Sequence, residues 1–136
     1  MPAGLLLTGG ASTRLGVSKS ELRRDGERLA DRGARLLGDV CETALEVGAG
    51  VSPLPAVRED PPGAGPLAAV ATGATALHAR RFAGPVLVLA VDLPFVDAGL
   101  LRWLAGAPGG TLVPRIAGVA QSLCARYASD DLASAV

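Results

Sequence analysis

PVLVLAVD, residues 85–92, decides the fold. Until its closing aspartate the run has no polar residue and no polar face, so as a strand it is buried on both sides, as the central strand of a parallel sheet is. Covering both faces of such a sheet takes helices. The chain supplies them in alternation with other strand-like runs. AGLLLT (3–8), CETALEVG (41–48) and GTLVPRI (110–116) read as strands, with a shorter one expected at 54–58 inside the proline-rich VSPLPAVREDPPGAG. Leu29, Arg32, Leu36, Leu37 and Val40 fall at helical spacing, as do Leu67, Val70, Ala71, Ala74 and Leu77. Proline at the first turn loses no needed hydrogen bond, so Gly65-Pro66 opens the second helix. Asp97 is the expected N-cap of a third, through Leu100, Leu101 and Leu104.

Composition narrows the class. The 136 residues suit one domain with an ordinary core. With 13 basic and 13 acidic residues the formal charge is zero, which gives no electrostatic case for nucleic acid or a membrane surface and favours a small ligand. Aromatic residues make up only 3%, so the core is one of Leu, Val and Ala. No apolar run approaches a membrane span. MPAGLLLTGG lacks the basic start and the length of a signal peptide, so the cytoplasm is the expected location. Cys41 and Cys124 have no partner at metal-ligand spacing and read as buried thiols rather than a zinc site. His78 reads as a surface residue, and Trp103 and Phe95 as core or loop-packing groups.

LLLTGGASTRLGVSK, residues 5–19, begins as a strand and breaks at Gly9-Gly10 into a loop with Ser12, Arg14, Gly16 and Lys19. Glycine lets backbone N–H groups approach a ligand closely, and beside two cations that ligand is a phosphate. Lys19 is the sole lysine among twelve arginines, which suggests a place that wants a compact ammonium. Ligands of open α/β sheets bind beyond the carboxyl ends of the strands. The loop after the first strand, Asp60 and Asp92 all fall there. Magnesium takes one or two carboxylates plus phosphate oxygens, so Asp92 at a strand end suits a nucleoside triphosphate and its Mg²⁺. Gly10 and Gly16 are followed by Val17-Ser18-Lys19, which does not match the Walker spacing. Gly48-Ala49-Gly50 begins like a dinucleotide fingerprint, but Pro53 stands at the third glycine.

G-G-x-S-x-R-x-G-x-x-K over Gly9–Lys19 resembles the signature loop of nucleotidyltransferases. REDPPGAGPLAAV, VLAVDLPFV and VPRIAGVAQSLCARY follow in the order found in one group of them. The chain is therefore identified, by resemblance over nearly its whole length, as a member of the molybdenum cofactor guanylyltransferase family. The resemblance implies a three-layer, Rossmann-like α/β fold of the nucleotide-diphospho-sugar transferase type, with a mostly parallel sheet and helices on both faces. It implies Mg²⁺-dependent transfer of GMP from GTP to molybdopterin with release of pyrophosphate, and carrier or acceptor proteins of the cofactor as partners. Carried over by position, Leu7, Thr8, Gly9, Gly10, Lys19, Asp60 and Asp92 would bind nucleotide. Asp92 would hold the metal, Arg14, Lys19 and Asp92 would act in catalysis, and Gln121 would lie on the acceptor side. Ser18, Gly48 and Ser122 stand where the family usually has Asp, Asn and Pro. The family normally continues beyond the length seen here, so the expectation is one domain over residues 1–136 without the C-terminal segment. A cytidylyltransferase of the same pathway, and a nucleotide-binding module without turnover, are the alternatives.

Overall fold

The structure is a computed structural model that describes residues 1–9, 22–59, 65–93 and 95–135. In chain order its elements are β1 (Ala3–Leu7), β2 (Arg23–Arg24), β3 (Glu27–Arg28), α1 (Leu29–Gly38), β4 (Thr43–Val47), β5 (Ala56–Val57), α2 (Pro66–Ala79), β6 (Val86–Ala90), α3 (Ala98–Gly106), β7 (Arg115–Ile116), β8 (Val119–Ala120), β9 (Cys124–Tyr127) and α4 (Ser129–Ala135). Five strands form one sheet in the order β5-β4-β1-β6-β9. β1 pairs in parallel with β4 and β6, so that Leu5 lies between Leu45 and Val88. β5 adds in parallel to β4, whereas β9 closes the other edge antiparallel to β6. The sheet is thus mostly parallel, and β1 and β6 are buried at every residue, as their unbroken apolar sequence requires.

Alternate residues of the inner strands feed two cores. Leu6, Leu87 and Leu89 pack with Leu36, Leu37, Leu101 and Leu104 of α1 and α3. Leu5, Leu7, Leu45, Val47, Val86 and Val88 pack with Val70 and Leu77 of α2 and with Leu132 of α4. Two glycines set how close the helices come. A Cβ on Gly33 of α1 would stand 2.6 Å from Leu6 Cδ1, and one on Gly73 of α2 2.7 Å from Leu5 Cδ1. Neighbouring leucines of β1 are therefore pressed by a side-chain-free helix position from either face. The Asp97 carboxylate accepts from Leu100 N at 2.8 Å, which caps α3 as its sequence position predicts.

One expected strand is corrected. Of the run 110–116, Leu112 only bridges to Arg126, and Arg115–Ile116 turns back on Val119–Ala120 in a separate hairpin. Pro114 has no N–H to give a ladder, and Ala117 and Gly118 adopt φ of 52° and 81°, the left-handed pair of a tight hairpin. The fifth strand of the sheet is Cys124–Tyr127 instead. Its Arg126 is 3% exposed and donates to four backbone carbonyls, of Leu104, Ala107, Gly109 and Gly110, at 2.6 to 3.0 Å. Those carbonyls end α3 and begin the next loop, where intrahelical donors run out.

Cys41 and Cys124 are free and buried, and burial pushes their thiols up to about 12 and about 11. Both are neutral, inert groups. His78 is exposed and Phe95 packs against the α1–α3 core, but Trp103 is 51% exposed on α3 rather than packed. No helix among the described residues is long and apolar enough to cross a membrane.

Candidate functional site

From β1 the chain passes through α1 to β4 on one side, then through α2 to β6 on the other side of β1. The strand order therefore reverses between β1 and β6, which is where open sheets of this kind leave a crevice. Thr8 and Gly9 leave β1 there, and Val91 and Asp92 leave β6 beside them. Their adjacency is fixed by the register of Leu7 with Ala90 and by Val91 N donating to Leu7 O at 3.2 Å. Gln121 reaches the same end from the antiparallel side, because Ala90 N donates to Leu123 O at 2.8 Å.

The side chains differ in what they offer. Asp92 is exposed at the strand end. Leu7 has its side chain in the core and its carbonyl engaged by Val91. Thr8 is buried, and its hydroxyl donates to Glu46 Oε2 of β4 at 2.7 Å. Gly9 is exposed, yet its N–H is directed at Val47 O at 3.3 Å rather than outward. A Cβ on Gly9 would collide with the Glu59 carboxylate, which lies over it. Gln121 is half-buried and turns its carboxamide back on its own hairpin, donating to Val119 O at 3.2 Å. Gly10, Arg14, Lys19 and Asp60, with the rest of the glycine loop, lie outside the described residues.

Glu46 is the group that sequence reasoning missed. It is wholly buried, and Oε2 accepts from Thr8 Oγ1, from Gly50 N at 2.7 Å and from Val51 N at 3.0 Å, while Oε1 accepts from Ser52 N at 2.7 Å. Burial pushes its carboxyl up, but the hydrogen bonds from Ser52, Thr8 and Val51 outweigh it, so the carboxyl is held below its ordinary value. The Gly50–Ser52 turn that follows Gly48-Ala49 is thus an anion-binding turn whose anion is the protein's own carboxylate. Gly48 is required by packing, since a Cβ there would collide with Thr8 Oγ1 and stand 2.9 Å from Gly9 N. The trace of Glu46 in the sequence is one glutamate inside an apolar strand, followed at once by a glycine turn, a pattern that does not by itself tell a buried carboxylate from a solvated one. Arginines at the start of α1 brace the same end. Arg28 donates to Val51 O at 2.9 Å, and Arg32 donates to Val96 O in the loop after Asp92.

Among the described residues no three of His, Cys, Asp and Glu cluster as a complete metal cage. Mg²⁺ that arrives on a triphosphate does not need one, because it keeps water and phosphate oxygens and takes one or two carboxylates from protein. Exposed Asp92 fits that donor set.

The fold is that of a nucleotidyltransferase. It superposes on a nucleotidyl transferase of Methanothermobacter with a TM-score of 0.77 at 18% identity, over 98% of this chain and 74% of that one. It superposes also on molybdopterin-guanine dinucleotide biosynthesis protein A of Archaeoglobus fulgidus, with a TM-score of 0.69 at 24% identity, over 98% of this chain and 72% of that one. The MobA-like NTP transferase domain model matches residues 4–136, and the chain belongs to that family. Two relatives carry the name "probable molybdenum cofactor guanylyltransferase". The protein of Opitutus terrae is 37% identical over 98% of this chain and 69% of its own length. That of Chloroflexus aggregans is 36% identical over 84% of this chain, which spans 58% of the relative.

Proposed function

We propose that the chain binds Mg²⁺-GTP at the β1–β6 end of the sheet and transfers GMP to the phosphate of molybdopterin, releasing pyrophosphate. The observation that carries this reading is Asp92, an exposed carboxylate at the end of the central strand, beside the point where the Gly9 loop begins. The names of the relatives supply the base and the acceptor. Bound Mg²⁺ would neutralise phosphate charge and polarise the α-phosphate.

The residues of the chain then have mainly positioning and electrostatic work, as phosphoryl transfer asks. Asp92 would hold the metal. The loop from Gly9 would lie along the triphosphate, with Arg14 and Lys19 against its oxygens and Asp60 on the nucleotide. Gln121 would face the acceptor, which requires its carboxamide to leave Val119 O. No general base is needed, because an ionised acceptor phosphate is already a nucleophile.

Calorimetric titration with GTP and Mg²⁺, followed by a pyrophosphate assay with molybdopterin, tests the reading. Asp92→Asn should cut Mg²⁺-dependent GTP affinity by about tenfold or more while the unfolding midpoint stays put, since one carboxylate is a large share of the protein's hold on the metal. Unaltered affinity in that variant overturns the metal role. Tighter binding of CTP than GTP overturns the base, and GTP binding without pyrophosphate release leaves a binding module.

A further inference from the structure

The four donors on Glu46 come from two separate stretches, Thr8 after β1 and residues 50–52 after β4. Among the described residues Glu46 is the one buried charged group that joins them. The backbone offers the β1 exit little else: Thr8 N and Gly9 N share a single acceptor, Val47 O, at 3.2 and 3.3 Å, both longer than the usual bond. The hydroxyl bond at 2.7 Å to a charged acceptor is the stronger tie. Gly48 leaves room for it. Carboxylate and hydroxyl are both buried, so neither side chain reaches the crevice. Their effect on a ligand passes through the direction in which Gly9 leaves the sheet.

We propose that Glu46 is a positioning residue for the nucleotide: acting through Thr8, it fixes the exit of β1 against the 50–52 turn and so sets where the glycine loop meets the triphosphate. The role rests on nucleotide binding at the β1–β6 end as proposed above. It also assigns the second glycine turn. The amides of 50–52 are filled by Glu46 and are not offered to phosphate.

The test separates this role from simple stability. Mg²⁺-GTP affinity is measured for wild type, Thr8→Val, Thr8→Ser, Glu46→Gln and the double variant Thr8→Val/Glu46→Gln, each well below its own unfolding midpoint. Amide exchange at Gly9 is followed without nucleotide. Thr8→Val keeps shape and removes the hydroxyl, and Glu46 keeps its three amide donors. Affinity should fall roughly 10- to 100-fold, the scale of a misplacement of about 1 Å. Gly9 exchange should rise about tenfold as the local hold is lost. Thr8→Ser should restore most of both, a rescue that a shape effect would not show. Glu46→Gln should match or exceed Thr8→Val, and the double variant should be no worse than Glu46→Gln. Wild-type affinity in Thr8→Val, or additive losses in the double variant, overturns the proposal; should Glu46→Gln not fold, Thr8→Val against Thr8→Ser decides. If wild type binds no GTP although Gly9 exchange responds as expected, the nucleotide reading itself is wrong and the positioning role falls with it.

Discussion

Glu46 and Arg126 are the two buried charged side chains among the described residues, and they sit toward opposite ends of the sheet. Glu46 gathers backbone N–H groups at the carboxyl end of β4, opposite Leu6 of β1. Arg126 gathers backbone carbonyls, opposite Leu87 near the start of β6. Each solves the same difficulty, since a buried charge is tolerated only when its hydrogen-bonding capacity is met. The difference lies in what the bonded backbone goes on to do. The carbonyls bonded by Arg126 belong to α3 and the turn after it, whereas Thr8, tied by Glu46, opens the segment that leaves β1 beside β6. A buried charge at one end serves the fold; at the other end, in the function proposed, the same device serves fold and site together.

Removing Arg126 should cost the most. Arg126→Ala strands four carbonyls without a donor, so unfolding by denaturant should show a loss of roughly 3–5 kcal/mol. Mg²⁺-GTP affinity of the protein that remains folded should match wild type, and a tenfold loss of affinity would erase the contrast between the two ends. Glu46→Gln should cost less, about 2 kcal/mol, because the amide keeps shape and one acceptor oxygen.

Acid sharpens the same contrast. The folded-state carboxyl of Glu46 lies below its ordinary 4.5, so its contribution is complete above that value and is lost as pH falls through the folded one. The stability gap between wild type and Glu46→Gln should hold steady above about pH 5 and close on further acidification. The gap between wild type and Arg126→Ala, measured over the same pH range, is the comparison. Smallest of all, Trp103→Ser on the exposed side of α3 should move stability by no more than about 0.5 kcal/mol in thermal unfolding. A larger loss would mean that the exposed indole is covered.

The fold was legible where sequence carried an unbroken signal. AGLLLT and PVLVLAVD are apolar at every position the sheet buries, and the Pro66 start and Asp97 cap mark α2 and α3 without ambiguity. GTLVPRI misled because β-branched content resembles a strand, while Pro114 and the Ala117-Gly118 turn redirect it. Cys124–Tyr127 escaped because its inward arginine breaks the apolar pattern, and only tertiary contact with the end of α3 makes that burial affordable. At the site, Asp92 could be placed from a strand-end rule alone. Glu46 could not, because a glutamate in a strand reads as a solvated face until the turn that wraps it is seen. The same holds for Thr8, whose motif position implied a ligand contact and whose hydroxyl turns inward.

Gly33 and Gly73 press on adjacent leucines of β1 from the two sides of the sheet. The thickness of the molecule at its midline is therefore set by two absent methyl groups. A methyl gained on either helix has to be matched by one lost from the strand, so Gly33 with Leu6, and Gly73 with Leu5, are free to drift only as coupled pairs.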